Sequence, residues 1–435
     1  MEMATTTAMT QLPIRILRFR TIGLVAFIMV FASQCQSQFR PPQVDITNLD
    51  TVGYDFLQQG ENVIENAVYL EPLFQKMYRQ RVEGGQKISI VHMGDSHILG
   101  NYLTQEVRIR LQQAFGDAGR GLIFPYKLAG SNGPRDYLIE TDARWYGSNC
   151  QRVLDQETPY GVSGFILESY NPQGNLTIRL RDTTTSETHL FTKVTIFYHQ
   201  DDKPFDFTVR DDITNQEAIL YLQDKNFKSF YFDRPVAQAT ISFARHNPAE
   251  KASLMLDGLL LENELSGVVY HSIGVNGAKF SDFVRARYFA RQLSDLNPDL
   301  IILSFGTNEA QGKLSPKYIY QQIDDLLNQL QRYAPNAYFL FTTPADSYLK
   351  GRGFNPYISQ VSNIIRQYAQ DNHYALWDLF RLSGGEHSAQ TWKSSGLMSS
   401  DSVHYSKVGY AAQGKMFYQS LIQSYNDFVQ RHGDQ

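Results

Sequence analysis

Four short stretches of this chain carry side chains that can do covalent chemistry together: Gly94-Asp95-Ser96-His97, Gly274-Val275-Asn276-Gly277, Gly306-Thr307-Asn308-Glu309 and Asp401-Ser402-Val403-His404. A serine hydroxyl is a weak nucleophile at neutral pH. Acyl transfer therefore needs a base within hydrogen-bond reach and a third group to hold that base in one tautomer. Ser96 supplies the hydroxyl, His404 the base and Asp401 the orienting carboxylate. Three residues apart in one loop or helical turn, Asp401 and His404 can lie on the same side, with the second imidazole nitrogen facing Ser96. The tetrahedral oxyanion needs preorganised donors. Those on offer are the N–H of Ser96, the N–H of Gly277 or Gly274, and the Asn308 amide.

Taken singly, each residue has a plainer use. Gly, Asp and Ser are ordinary turn residues, and Asn308 and Asp401 are favoured helix caps. Gly274 and Gly277 can simply supply positive φ in a loop, and His404 alone reads as a surface histidine. The catalytic reading gains from their number and order, since all the plain explanations must hold at once. His97 beside the serine reads either as a substrate contact or as a structural hydrogen bonder. His92 and His271 lie in expected strands and read as core histidines. Asp95 and Glu309 read as loop holders, with Glu309 also placed to orient the Asn308 amide.

The elements that must position these residues follow from hydrophobic periodicity. Ile88-Ser89-Ile90-Val91-His92-Met93 reads as a strand that stops at Gly94-Asp95, ahead of a helix over 104–115. Ser96 then sits at the carboxyl edge of a sheet, where open α/β folds bind ligands. Val63, Ala67, Leu70, Phe74, Met77 and Tyr78 predict an amphipathic helix over 61–80. Strands at 268–273, 300–305, 337–341 and 375–377 alternate with helices near 279–295, 315–332, 356–371 and 406–428, the rhythm of a parallel, doubly wound sheet. Residues 135–265 break it with alternating runs such as Asn175–Leu180, Lys193–Tyr198 and Ala239–Phe243, which read as an inserted antiparallel, jelly-roll-like β-sandwich. The expected organisation is a leader (1–37), a lead-in (38–60), a first α/β part (61–134), the β-insert (135–265) and a second α/β part (266–435).

A length of 435 residues is enough for two or three domains at about 150 residues each. A formal charge of -4, with no basic run beyond the amino terminus, gives no electrostatic case for nucleic acid. Cys35 and Cys150 belong to no metal-ligand spacing, so no metal and no cofactor is expected. Arg15, Arg18 and Arg20 precede the apolar run Ile22–Ala32, after which the chain turns polar; this is the pattern of a secretory leader. The run falls short of the roughly 18–20 residues that span a bilayer. The expectation is export to the periplasm or envelope. Cys35 offers lipid attachment and thereby a membrane anchor, against which stands Gln34, where lipoprotein processing has a small residue.

Together the four stretches resemble the SGNH (GDSL-like) serine hydrolases, over roughly 86–130 and 267–428. That resemblance implies a flavodoxin-like three-layer sheet, Ser96 as nucleophile, Gly277 and Asn308 as oxyanion donors, and Asp401 and His404 completing a triad. His97 after the serine, Gly-Val-Asn-Gly at 274–277 and Asp-Ser-Val-His-Tyr-Ser-Lys-Val-Gly-Tyr at 401–410, with the β-insert, are similar to bacterial peptidoglycan O-acetylesterases that carry a carbohydrate-binding-like insert. The implied partner is an acylated glycan, and the implied activity removes small acyl groups through an acyl-serine. An acetyltransferase with the same triad, and a glycan-binding protein on a hydrolase scaffold, are the alternatives.

Overall fold

The strand that ends at the Ser96 turn, Lys87–Gly94, lies inside a six-stranded sheet. In space the order is Ile64–Glu65, Ala375–Trp377, Tyr338–Thr342, Leu300–Ser304, Lys87–Gly94 and Gly267–Gly274, and all but the first strand run parallel. Numbered along the chain, the five parallel strands stand in the order 2-1-3-4-5. That is one of the doubly wound orders, and it reverses between Lys87–Gly94 and Leu300–Ser304. A crevice opens at the carboxyl ends of strands at such a reversal. The computed structural model describes residues 42–47, 53–152, 159–181, 190–199 and 205–432. The expected leader, Cys35 included, lies outside them.

Alternation along the strands sorts their side chains onto two faces. Ile88, Ile90, Leu300, Ile302, Leu340 and Trp377 pack with helices Glu71–Val82, Tyr102–Phe115 and Lys407–His432. Val91, Met93, Ile301, Leu303, Phe339 and Phe341 pack with helices Pro316–Tyr333 and Tyr357–Asp371. Helix Pro316–Tyr333 shows why such segments fold as they do. Ser315 caps it by accepting from the N–H of Tyr318 at 3.4 Å, Pro316 occupies its first turn, and Ile319, Ile323, Leu326, Leu327 and Leu330 form one buried stripe. Burying each of these aliphatic side chains contributes about 1.5–3 kcal/mol.

Between the first two parallel strands the chain builds two antiparallel sheets. One joins Ile219–Asp224, Phe227–Val236, Phe191–His199, Leu254–Glu262, Phe165–Ser169 and Tyr146–Asn149, with Gly121–Ile123 also paired to Leu254–Glu262; the other joins Tyr137–Thr141, Gln173–Leu180, Gln238–Arg245 and Phe205–Asp211. Phe205, Phe207, Val209 and Asp211 are buried while Asp206, Thr208 and Arg210 face water, the pattern of a half-covered sheet. The buried side chains of these sheets, such as Phe165, Val194, Ile196 and Ile241, belong to the same hydrophobic cluster as Val91 and Met93. The antiparallel and parallel parts thus share one core, and Pro42–Gln435 is one compact unit.

Two helices differ from expectation. The segment near 61–80 begins with the edge strand Ile64–Glu65, paired antiparallel to Leu376 and Trp377, so the helix proper runs only from Glu71 to Val82. The helix expected near 279–295 is two short ones, Phe280–Val284 and Phe289–Ser294. The N–H of Tyr288 donates to the carbonyl of Tyr160 in the antiparallel region at 3.2 Å, which takes that residue out of a continuous helical ladder.

Candidate active site

The turn after Gly94 is set by Asp95. Its carboxylate accepts the N–H of His97 at 2.9 Å, starting the short helix Ser96–Leu99 and bringing the Ser96 side chain to the sheet's carboxyl edge. Ser96 Oγ lies 2.9 Å from Nε2 of His404, and Nδ1 of His404 lies 2.7 Å from Oδ2 of Asp401. With the carboxylate on Nδ1, the ring's proton belongs there, and Nε2 is left to accept from the serine hydroxyl. The other oxygen of Asp401 accepts the N–H of Val403, the N–H of His404 and the hydroxyl of Ser399 at 3.0, 3.0 and 2.6 Å. Partial burial alone would raise the Asp401 carboxyl; the bonds from His404, Ser399 and the two N–H groups outweigh it and hold the group well below the usual carboxylate range. Ser399 was not singled out from the sequence, since nothing distinguishes it from other loop serines.

The oxyanion candidates separate by geometry. Among the described residues no acceptor is bonded to the N–H of Ser96 or of Gly277, so both are free for an incoming oxygen. Gly277 has φ +75° with open space beside it, the nearest neighbour to a Cβ being Gln151 at 3.7 Å. Gly274 is different: a Cβ there would lie 2.2 Å from the backbone nitrogen of Leu99. Its lack of a side chain serves close packing between its strand and helix Ser96–Leu99. Asn308 sits across the sheet's reversal from Ser96, with both amide hydrogens already held, by Asp95 Oδ2 and by the carbonyl of Ala278, each at 3.0 Å.

Beneath these groups lie ionisable side chains that do not face solvent. Burial lifts the Asp95 carboxyl to about 7 against the opposing bond from the His97 N–H. Burial likewise lifts Glu309 to about 7, where its two oxygens tie down the N–H groups of Phe280 and Gly306 at 2.9 and 3.0 Å. Glu309 therefore fixes the loops on both sides of Asn308. His97 Nδ1 lies 2.9 Å from the Tyr410 hydroxyl, and its Nε2 is sealed from water without a partner. Its ring is 5.3 Å from that of His404, and burial lowers its pKa to about 3. This places the His97 ring beside that of His404, with one of its nitrogens held by Tyr410. His92 and His271 are core histidines as expected, bonded to Tyr270 and Ser304 and to Ser89 and Leu122.

The side chains of His404 and Asp401 are 41% and 43% exposed, so the partners of Ser96 stand at an open surface. The 910 Å³ groove between helices Pro316–Tyr333 and Tyr357–Asp371 holds none of these residues. Among the described residues no cluster of three His, Cys, Asp or Glu is placed to hold a metal ion, and no helix is long and apolar enough to cross a membrane. Cys150 is buried and unpaired, and burial raises its thiol.

A solved structure of a peptidoglycan O-acetylesterase superposes with a TM-score of 0.66 at 20% identity, covering 82% of this chain and 96% of that one. A lipase/acylhydrolase from Enterococcus faecalis matches over 36% of this chain and 77% of its own, at 13% identity and a TM-score of 0.30. No curated protein sequence matches the chain. Residues 256–412 match the model of the GDSL-like lipase/acylhydrolase family, and they contain Gly277 and Asn308 as well as the Asp401–His404 pair. Over that stretch, the chain is similar to the GDSL-like lipases and acylhydrolases.

Proposed function

We propose that this chain is an exported serine esterase that removes O-acetyl or other small acyl groups from an envelope glycan, with peptidoglycan as the first substrate to test. The observation that carries the reading is the unbroken chain from Ser96 Oγ through His404 to Asp401, with the N–H groups of Ser96 and Gly277 bonded to no acceptor among the described residues. In this reading His404 takes the Ser96 proton as the hydroxyl attacks the ester carbonyl. Ser96 and Gly277 N–H donate to the oxyanion, with the Asn308 amide as third donor. His404 then protonates the departing sugar oxygen, and later deprotonates the water that releases the acyl group.

Two observations support a polymer as the acyl carrier. The half-exposed base opens onto a surface that a long chain can cross, and the fold is that of a structure described as a peptidoglycan O-acetylesterase. Export is supported by the Arg-flanked apolar run at 15–32. We read 135–265 as an inserted sandwich that walls the site on one side, since Gln151 from that region lies over Gly277.

The deciding experiment measures acetate release from O-acetylated peptidoglycan and from an aryl acetate, for wild type and Ser96→Ala. Release from both substrates by the wild type alone is expected. Aryl acetate cleavage without release from peptidoglycan would remove the polymer assignment, and equal activity of Ser96→Ala would remove Ser96.

A further inference from the structure

A second cleft, of about 540 Å³, adjoins the candidate site, and its lining includes Gly100, Tyr102, Tyr126, Lys127, Arg135 and Arg181. It touches the catalytic groups at two points. Gly100 ends the short helix that Ser96 begins. On the other flank, the Asn276 amide donates to Ser131 Oγ and Asn132 Oδ1 at 3.3 and 2.7 Å, tying the loop that carries the Gly277 N–H to the loop that walls the cleft.

The charge of this cleft is one-sided. Three cations line it, no acidic residue does, and among the described residues no carboxylate pairs with Lys127, Arg135 or Arg181. The nearest buried carboxylate, Asp136, is already consumed by Arg120 and Arg108 at 2.5 and 2.9 Å. The chain as a whole is net negative, at -4, so three cations lining one concavity do not reflect general basicity. Guanidinium forks match carboxylates in geometry, and a concave surface of one sign concentrates ligands of the other.

Resting on the esterase reading, we infer that this cleft is the subsite for the alcohol part of the substrate, and that it selects a glycan bearing carboxylate groups. The acyl group lies at Ser96 and the saccharide extends past Gly100, with its carboxylates toward Lys127, Arg135 and Arg181 and its apolar edge against Tyr126.

The test compares O-acetylated glycan strands in two forms, native and with carboxyl groups converted to neutral amides, using the full chain. Expected is a kcat/KM for the native form roughly tenfold above that for the amide form, three partly exposed pairs each contributing at the modest level of surface ion pairs. That ratio should shrink between low and high salt and fall toward one in an Arg135→Ala/Arg181→Ala variant. A wild-type ratio near one, or a ratio unchanged in the variant, overturns the inference. Should neither form release acetate, the esterase reading fails by itself. Equilibrium binding of the same two glycans to the Ser96→Ala protein then decides the cleft: tighter binding of the carboxylated form supports it, and equal binding overturns it.

Discussion

Asp95 Oδ2 accepts an amide hydrogen of Asn308 at 3.0 Å, while the carbonyl of Ala278 takes the other. The amide is clamped, and any oxyanion must share a hydrogen that already has an acceptor. On the proposed reading, the N–H groups of Ser96 and Gly277 then carry most of the charge stabilisation. Asn308→Ala should lower kcat on an aryl acetate by about 10- to 100-fold with KM unchanged, short of the roughly 100- to 1,000-fold typical of a freely donating group. A loss beyond about 1,000-fold would mean that the amide leaves Ala278 to follow the oxygen.

Ser96, His404 and Asp401 form one hydrogen-bonded chain, so on the proposed reading their removal should not add up. Ser96→Ala and His404→Ala should each lower kcat by about 10,000-fold or more, and the double variant should be no worse than either. Asp401→Asn should cost less, about 100- to 10,000-fold, because backbone N–H groups still position the loop. Steady-state kinetics of the four proteins decide it, and additive losses would argue that the residues do not share a step.

The two glycines of the Gly-Val-Asn-Gly stretch should fail in different ways. In Gly274→Ala the new methyl meets the backbone of Leu99, which cannot give way cheaply, and a loss of about 3 kcal/mol or more in unfolding free energy is expected. In Gly277→Ala there is room, and the cost is about 1–2 kcal/mol of left-handed backbone strain. Its main effect should be on kcat, through a shifted N–H. Urea unfolding alongside kinetics separates the two, and equal destabilisation would contradict the packing described.

Glu309 and Asp95 both titrate near 7 in the fold, against ordinary values of 4.5 and 3.8, because burial disfavours their charged forms. Between about pH 4 and 7 these two groups therefore bind more protons in the folded chain than in the unfolded one, and the stability they contribute falls as pH rises through that window. Glu309→Gln should be less stable overall, having lost one acceptor for a backbone N–H. Its slope of unfolding free energy against pH between 5 and 7 should nevertheless be shallower. An unchanged slope would show that Glu309 does not carry the titration.

The sequence made the parallel strands legible because each is a short, mostly apolar run closed by turn residues. Ala375–Trp377 is found where expected, and Leu300–Ser304 ends one residue early. Ser96, Asp401 and His404 could be paired on paper because local turns present them, Asp401 and His404 being fixed by bonds within one loop. What could not be read depends on distant backbone. The split near Arg285–Tyr288 follows from a bond to Tyr160, the late start of helix Glu71–Val82 from a strand pairing with Trp377, and the choice between Gly274 and Gly277 from how close Leu99 comes. The clamp on Asn308 and the contact of His97 with Tyr410 are likewise tertiary, and no spacing announces them.

The placement of strand Lys87–Gly94 also governs when the site can form. Both of its sheet neighbours, Gly267–Gly274 and Leu300–Ser304, come much later in the chain. The loop carrying His404 arrives later still. A chain shortened anywhere before Gly267 would leave Ser96 on a strand with neither of its parallel partners.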